Sequence, residues 1–175
     1  APFLQSVYPD DQALLHDWLA TLGLLQWPIE TFSLLSRLNC AIANTFTYQI
    51  REEEGVQSPA QTLKLNSGSC RDFAALFIEA CRSIGLASRF VSGYLHMPGN
   101  EAGNASTHAW AEVYLPGPGW KGFDPTSGLI TGNQHIPVAV ARQTEAVPPV
   151  SGSVVGPAGL RPALMVSVGV SDLGL

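Results

Sequence analysis

The hydrophobic period of this chain changes at Gly85, and that change limits the folds open to it. Ahead of the glycine, Phe73, Leu76, Phe77, Ala80, Cys81 and Ile84 recur at helical spacing and form a wide apolar stripe. Ser69 and Asp72 stand at capping-box spacing just before the stripe, and Gly85 suits its C-terminal end. The spacing therefore predicts a helix over about 70–84. Beyond it, segments 88–97 and 107–115 read as strands, Pro116-Gly117-Pro118-Gly119 as a turn, and 120–124 as a third strand. Helices first and an antiparallel meander afterwards make this an α+β chain.

The first third also reads helical. Asp10 or Asp11 caps a segment carrying Leu14, Leu15, Trp18, Leu19 and Leu22, which Gly23 ends. Pro28 opens a second, longer helix in which Phe32, Leu35, Leu38, Ile42 and Phe46 recur, running to about Asn44. Residues 51–62 read as a polar surface loop whose acidic run is a solvated face. Residues 128–160 show little periodicity. Leu164, Val166, Val168 and Val170 then alternate with Met165, Ser167, Gly169 and Ser171, a late strand with no partner in the sequence.

A chain of 175 residues that is 46% hydrophobic and 13% charged is globular and suits one domain. Its net charge of −5, with no Lys/Arg cluster, argues against nucleic acid as a partner. No apolar run approaches the roughly 20 residues that span a bilayer. The start, Ala1-Pro2-Phe3, has neither signal-peptide features nor an initiator Met, so an upstream piece is expected to have been removed. Three cysteines without paired spacing suit a reducing compartment, and the expected location is the cytoplasm. Cys40 and Cys81 read as buried small hydrophobes.

Cys70 reads differently, because the capping signal seats it in the first turn of its helix, where the positive end of the dipole favours a thiolate. His108 and Asp124 follow in chain order. Nucleophile, base and orienter of the base form the constellation of thiol-based acyl transfer. Strand parity permits it. Pairing Tyr114 with Trp120 also pairs Glu112 with Gly122 and Trp110 with Asp124, leaves a loop over 115–119, and puts Asp124 diagonally across from His108 on one face. A slip of one residue would separate them. The oxyanion would fall near the Cys70 backbone N–H, and a second donor is required; Asn66 and Gln61 qualify only by residue type. His16, His96 and His135 carry no partner motif and read as surface or packing residues. No CxxC or HxxxH spacing marks a zinc site.

Three stretches, Gly68-Ser69-Cys70-Arg71-Asp72-Phe73-Ala74, Thr107-His108-Ala109-Trp110-Ala111-Glu112-Val113-Tyr114 and Gly119-Trp120-Lys121-Gly122-Phe123-Asp124-Pro125-Thr126, resemble the transglutaminase-like superfamily, in particular its bacterial branch of cysteine-protease-like members. The resemblance implies a papain-like core: a helix bearing the cysteine, packed on an antiparallel sheet bearing the histidine and aspartate. By position match it makes Cys70 the nucleophile, His108 the base and Asp124 the orienter. Trp110 and Trp120 become sheet residues lining or supporting the cleft, with Trp110 a substrate-binding candidate. It implies a catalytic core over 1–141 and an extended tail over 142–175 whose late strand pairs with an absent N-terminal β-rich region or another chain. No cofactor is expected; some relatives use calcium, but no calcium loop is recognisable in the sequence. The expected activity is hydrolysis of a peptide or protein amide through a thioester. Glutamine transamidation, or a non-catalytic module on the same fold, are the alternatives.

Overall fold

The computed structural model describes every residue except 1, 27, 52, 97–104, 154, 158, 160–165 and 171–175. In chain order the elements are α1 (Gln12–Thr21), α2 (Thr31–Thr45), β1 (Thr47–Tyr48), α3 (Pro59–Leu65), β2 (Ser67–Gly68), α4 (Cys70–Ser83), β3 (Ser88–His96), β4 (Ala105–Leu115), β5 (Gly119–Asp124), β6 (Leu129–Ile130) and β7 (His135–Ala141). Five strands form one sheet in the order β6-β5-β4-β3-β7, with every neighbouring pair antiparallel. β1 and β2 make a separate two-residue parallel pair. Among the described residues no helix is long and apolar enough to cross a membrane.

α4 is the hub. It packs on β3 and β4 on one side and on α1, α2 and α3 on the other. Its stripe pattern predicts one buried flank, yet every residue from Asp72 to Arg82 is buried. The difference arises because three helices cover the side that the sheet does not. Phe77 stacks on Phe123 with ring centroids 5.5 Å apart, which fixes the helix against β5. The polar residues on this enclosed helix are all satisfied. Glu79 pairs with Arg82 at 2.6 Å and accepts from Ser6 Oγ and Val7 N, while Arg82 also donates to the Ser88 and Arg142 carbonyls. The ion pair thus clasps the N-terminal segment and the end of the sheet to the helix.

The structure corrects the sequence reading at several places. The loop over 51–62 contains α3, which starts at Pro59 behind a Ser58–Gln61 capping box and is too short for periodicity to reveal. The second helix starts at Thr31 rather than Pro28, because the Glu30 side chain accepts from Phe32 N and Ser33 N. The Tyr114–Trp120 and Glu112–Gly122 pairs are present, but Leu115 also pairs with Gly119, so the loop is 116–118. β7 lies where no periodicity was read, and Pro137 is tolerated because the strand is at the sheet edge. Of the late strand expected over 164–170, residues 164 and 165 lie outside the described residues; 166–168 are irregular and Gly169 makes an isolated bridge. Cys81 is buried, as expected, but Cys40 is exposed.

β7 meets β3 with a register shift between Ser92 and Gly93. A Cβ on Gly93 would lie 2.1 Å from the Ile136 carbonyl oxygen and 2.8 Å from Trp110 Cη2. Neither can retreat, because one is backbone and the other a buried ring. Gly93→Ala is expected to cost on the order of 2–3 kcal/mol in denaturant unfolding. A cost below about 0.5 kcal/mol would show that β7 is not docked this tightly.

Candidate active site

Cys70 occupies the first position of α4, and a buried carboxylate sets that end of the helix. Asp72 is fully buried and accepts from Ser69 N, Ser69 Oγ, Gln57 N and the Arg51 guanidinium at 2.8–3.1 Å. The loop ahead is equally constrained. Asn66 takes a left-handed conformation (φ 52°) to end α3, and a Cβ on Gly68 would lie 2.8 Å from that of Asp72. The thiol is consequently left half-buried at the helix start.

Across the groove stand the two sheet residues. His108 Nε2 donates to Asp124 Oδ2 at 3.0 Å, and both side chains are buried. Asp124 is held further by Ser127 Oγ at 2.7 Å on Oδ2 and Thr126 N at 3.0 Å on Oδ1. Cys70 completes the set, as its side chain acts on the same imidazole. Burial alone would lower the His108 pKa. Its hydrogen bonds to Asp124 and Cys70 and their negative charges outweigh that and push it up to about 9. Burial likewise works to raise Asp124, but the hydrogen bond and charge of His108 hold its carboxyl well below the usual carboxylate range. The structure therefore brings Cys70, His108 and Asp124 together. Cys81 is not part of this group; it is enclosed in the core, where burial pushes its thiol far up.

Two residues differ from the sequence expectation. Trp110 is only 2% exposed, so a substrate does not reach it. Its ring packs against His108 (6.2 Å) and edge-on to His135 (5.2 Å), which makes it the wall behind the imidazoles rather than a substrate contact. His135, read as a surface or packing residue, enters the site: its Nε2 lies 3.3 Å from Asp124 Oδ2. The signal was present in the alternation of Ile136, Val138 and Val140 along 135–141, which would have placed a strand there.

His108, Asp124 and His135 each offer a ligand atom within 4.8 Å of the others, the footprint of a metal site. The protons point the other way. Gly132 N–H donates to His135 Nδ1 at 3.3 Å, so the ring proton sits on Nε2 and is donated to Asp124. A ligating histidine does the reverse, donating from its outer nitrogen to an acceptor. The cluster is a hydrogen-bond network on one carboxylate.

A groove of about 1010 Å³ lies beside the site, lined by Ser69, Arg71, Tyr94, Thr107, Pro149 and Val168 among others. Ser69, Arg71 and Thr107 are the chain neighbours of Cys70 and His108, so the groove borders the site.

Residues 26–125 match the family model described as the transglutaminase-like superfamily, a span that contains all three residues of the site. The chain belongs to that superfamily. It is similar to an uncharacterized protein of Mycobacterium tuberculosis, 36% identical over 130 residues that cover 69% of this chain and 41% of that protein. It is also similar to the uncharacterized protein YebA of Bacillus subtilis, 33% identical over 105 residues covering 50% of this chain and 14% of YebA. The chain thus spans less than half the length of these superfamily relatives. Among solved structures, a candidate cysteine protease from Cytophaga hutchinsonii matches with a TM-score of 0.66 and 29% identity, covering 83% of this chain and 48% of that one. The periplasmic domain of TgpA from Pseudomonas aeruginosa matches with a TM-score of 0.53 at 24% identity, covering 72% and 46%, and shares the fold.

The raised His108 pKa has a testable sign. A group whose pKa is higher folded than unfolded stabilises the fold fully below its unfolded value, near 6.5, and loses that contribution as pH rises through the folded value of about 9. The stability advantage of the wild type over His108→Gln is expected to shrink by on the order of 2–3 kcal/mol between pH 6 and 10. Urea unfolding of both proteins across that range measures it, and parallel curves would refute it.

Proposed function

We propose that this protein is a thiol-dependent acyl-transfer enzyme acting on amide bonds, with hydrolysis as its outcome. The observation that carries the reading is the single imidazole of His108, bound to Asp124 at 3.0 Å and partnered by the Cys70 thiol at a helix start. Superfamily membership and the likeness to a candidate cysteine protease support it.

In this reading the Cys70 sulfur attacks the carbonyl carbon as a thiolate, with the departing thiol proton held on His108. The C–S bond forms and the carbonyl electron pair moves onto oxygen. His108 then returns its proton to the leaving nitrogen as the C–N bond breaks, giving a thioester. Water, deprotonated by the same imidazole, cleaves the thioester and restores the thiol. Asp124 fixes the imidazole so that Nε2 carries a proton and the other ring nitrogen faces sulfur, and it stabilises the imidazolium. A hydrolytic outcome is favoured over transamidation because no sequence feature, and no feature among the described residues of the groove, marks a second site for an amine. The substrate class is a peptide or protein amide in extended form, suited to an open groove.

Alkylation with iodoacetamide at pH 6, read by mass spectrometry, is expected to modify Cys70 well ahead of Cys40, although Cys40 is exposed. Cys70→Ala should abolish hydrolysis of peptide amides, and Asp124→Asn should lower it by about 10²–10⁴-fold. Equal labelling of the two thiols would sink the enzymatic reading. Incorporation of a labelled primary amine into a glutamine peptide, without net hydrolysis, would replace hydrolysis with transamidation.

A further inference from the structure

Acyl transfer at Cys70 places negative charge on the attacked carbonyl oxygen, and one backbone N–H at the start of α4 faces it. The residues proposed by type for the second donor belong to α3: the Gln61 side-chain oxygen accepts from Ser58 N in the capping box, and Asn66 is the exposed left-handed residue that ends the helix. Trp110 is enclosed behind the imidazoles.

We propose that the hydroxyl of Tyr48 is the second donor to this oxyanion. The proposal rests on the acyl-transfer reading of the same site. Three placements support it. Tyr48 pairs with Gly68 in the parallel β1–β2 ladder, two residues before Cys70, and the Gln49 N to Gly68 O hydrogen bond of 2.8 Å holds that register. Its ring meets Phe73 edge-on at 6.4 Å, and Phe73 lies one turn on from Cys70 along the same helix face. The side chain is 49% exposed, so the phenol reaches the open side of the site rather than the core. The charges that act on it belong to Cys70 and Asp124, one from each wall.

Burial first, and then those two negative charges, raise the Tyr48 pKa, so the phenol keeps its proton at neutral pH. Among the described residues none acts on the phenol through a hydrogen bond, which leaves the donor available. The ring has two torsions and is braced by Phe73, so little freedom is lost when the hydroxyl is aimed. As the C–S bond forms, the carbonyl electron pair moves onto oxygen, and Tyr48 O–H donates a hydrogen bond to it without transferring the proton. When the pair returns, the C–N bond breaks and nitrogen takes its proton from His108. A donor of this kind contributes only while the oxyanion exists.

Tyr48→Phe keeps the ring on Phe73 and removes the donor. Two reactions of Cys70 then separate its role. Acylation by p-nitrophenyl acetate passes through an oxyanion, whereas alkylation by iodoacetamide displaces iodide and forms none. The expected result is acylation slowed about 10²-fold, with the alkylation rate at pH 6 unchanged within about twofold. Tyr48→Leu, which also removes the ring, should show the same loss and add a fall in melting temperature that Tyr48→Phe lacks. Acylation unchanged in Tyr48→Phe, or both reactions slowed equally, overturns the role of Tyr48. Wild-type Cys70 alkylated no faster than Cys40 overturns instead the acyl-transfer reading on which it rests.

Discussion

Asp72 has no water to share its charge with, and an unpaired carboxylate in that position would cost several kcal/mol. It is satisfied by donors from three separate stretches: Ser69 three residues before it, Gln57 ahead of α3, and Arg51 from the loop after β1. One side chain therefore caps α4, gathers the loops before it and fixes where the helix begins. Because Cys70 is the first residue of that helix, the position of the thiol is set by a carboxylate two residues away. Remove the knot and α4 can still pack by its apolar surface, but its first turn loses the ties that aim it.

The second anchor lies in the sheet and obeys different physics. His108 sits inside β4 and Asp124 ends β5, so their separation is a property of strand register. Asp124 then collects donors from both sides: Thr126 and Ser127 from the turn that follows, His108 from the neighbouring strand and His135 from β7. β7 is the edge strand furthest from β5 in the sheet order, yet its first residue returns to β5's last. The turn after β6 makes this possible by bringing Gly132 and His135 together through two hydrogen bonds.

What the sequence disclosed followed from how far each signal reaches along the chain. α4 and the β4–β5 hairpin were readable because their determinants are local: a cap, a stripe, a proline-glycine turn and a parity argument that put His108 and Asp124 on one face. α3 was not, being a single short helix whose capping box stood in a polar stretch. β7 escaped because its apolar residues face outward at an edge, with Val138 and Val140 largely exposed, instead of forming a buried strand. His135 was missed with it. Its meeting with Asp124 is a contact across the sheet, and no local rule announces it. Tyr48 is a similar case, since a two-residue strand carries no period to read.

Cys70 and His108 belong to different layers of the molecule, the thiol to the helix and the imidazole to the sheet. The gap between sulfur and imidazole is thus the thickness of the packing between α4 and β4–β5, where Phe77 stacks on Phe123. Those rings act as a spacer gauge set well away from the thiol and the imidazole. A core substitution that thins or swells this layer would shift one against the other without touching any residue of the cleft, so the interior of this protein carries part of the specification of its site.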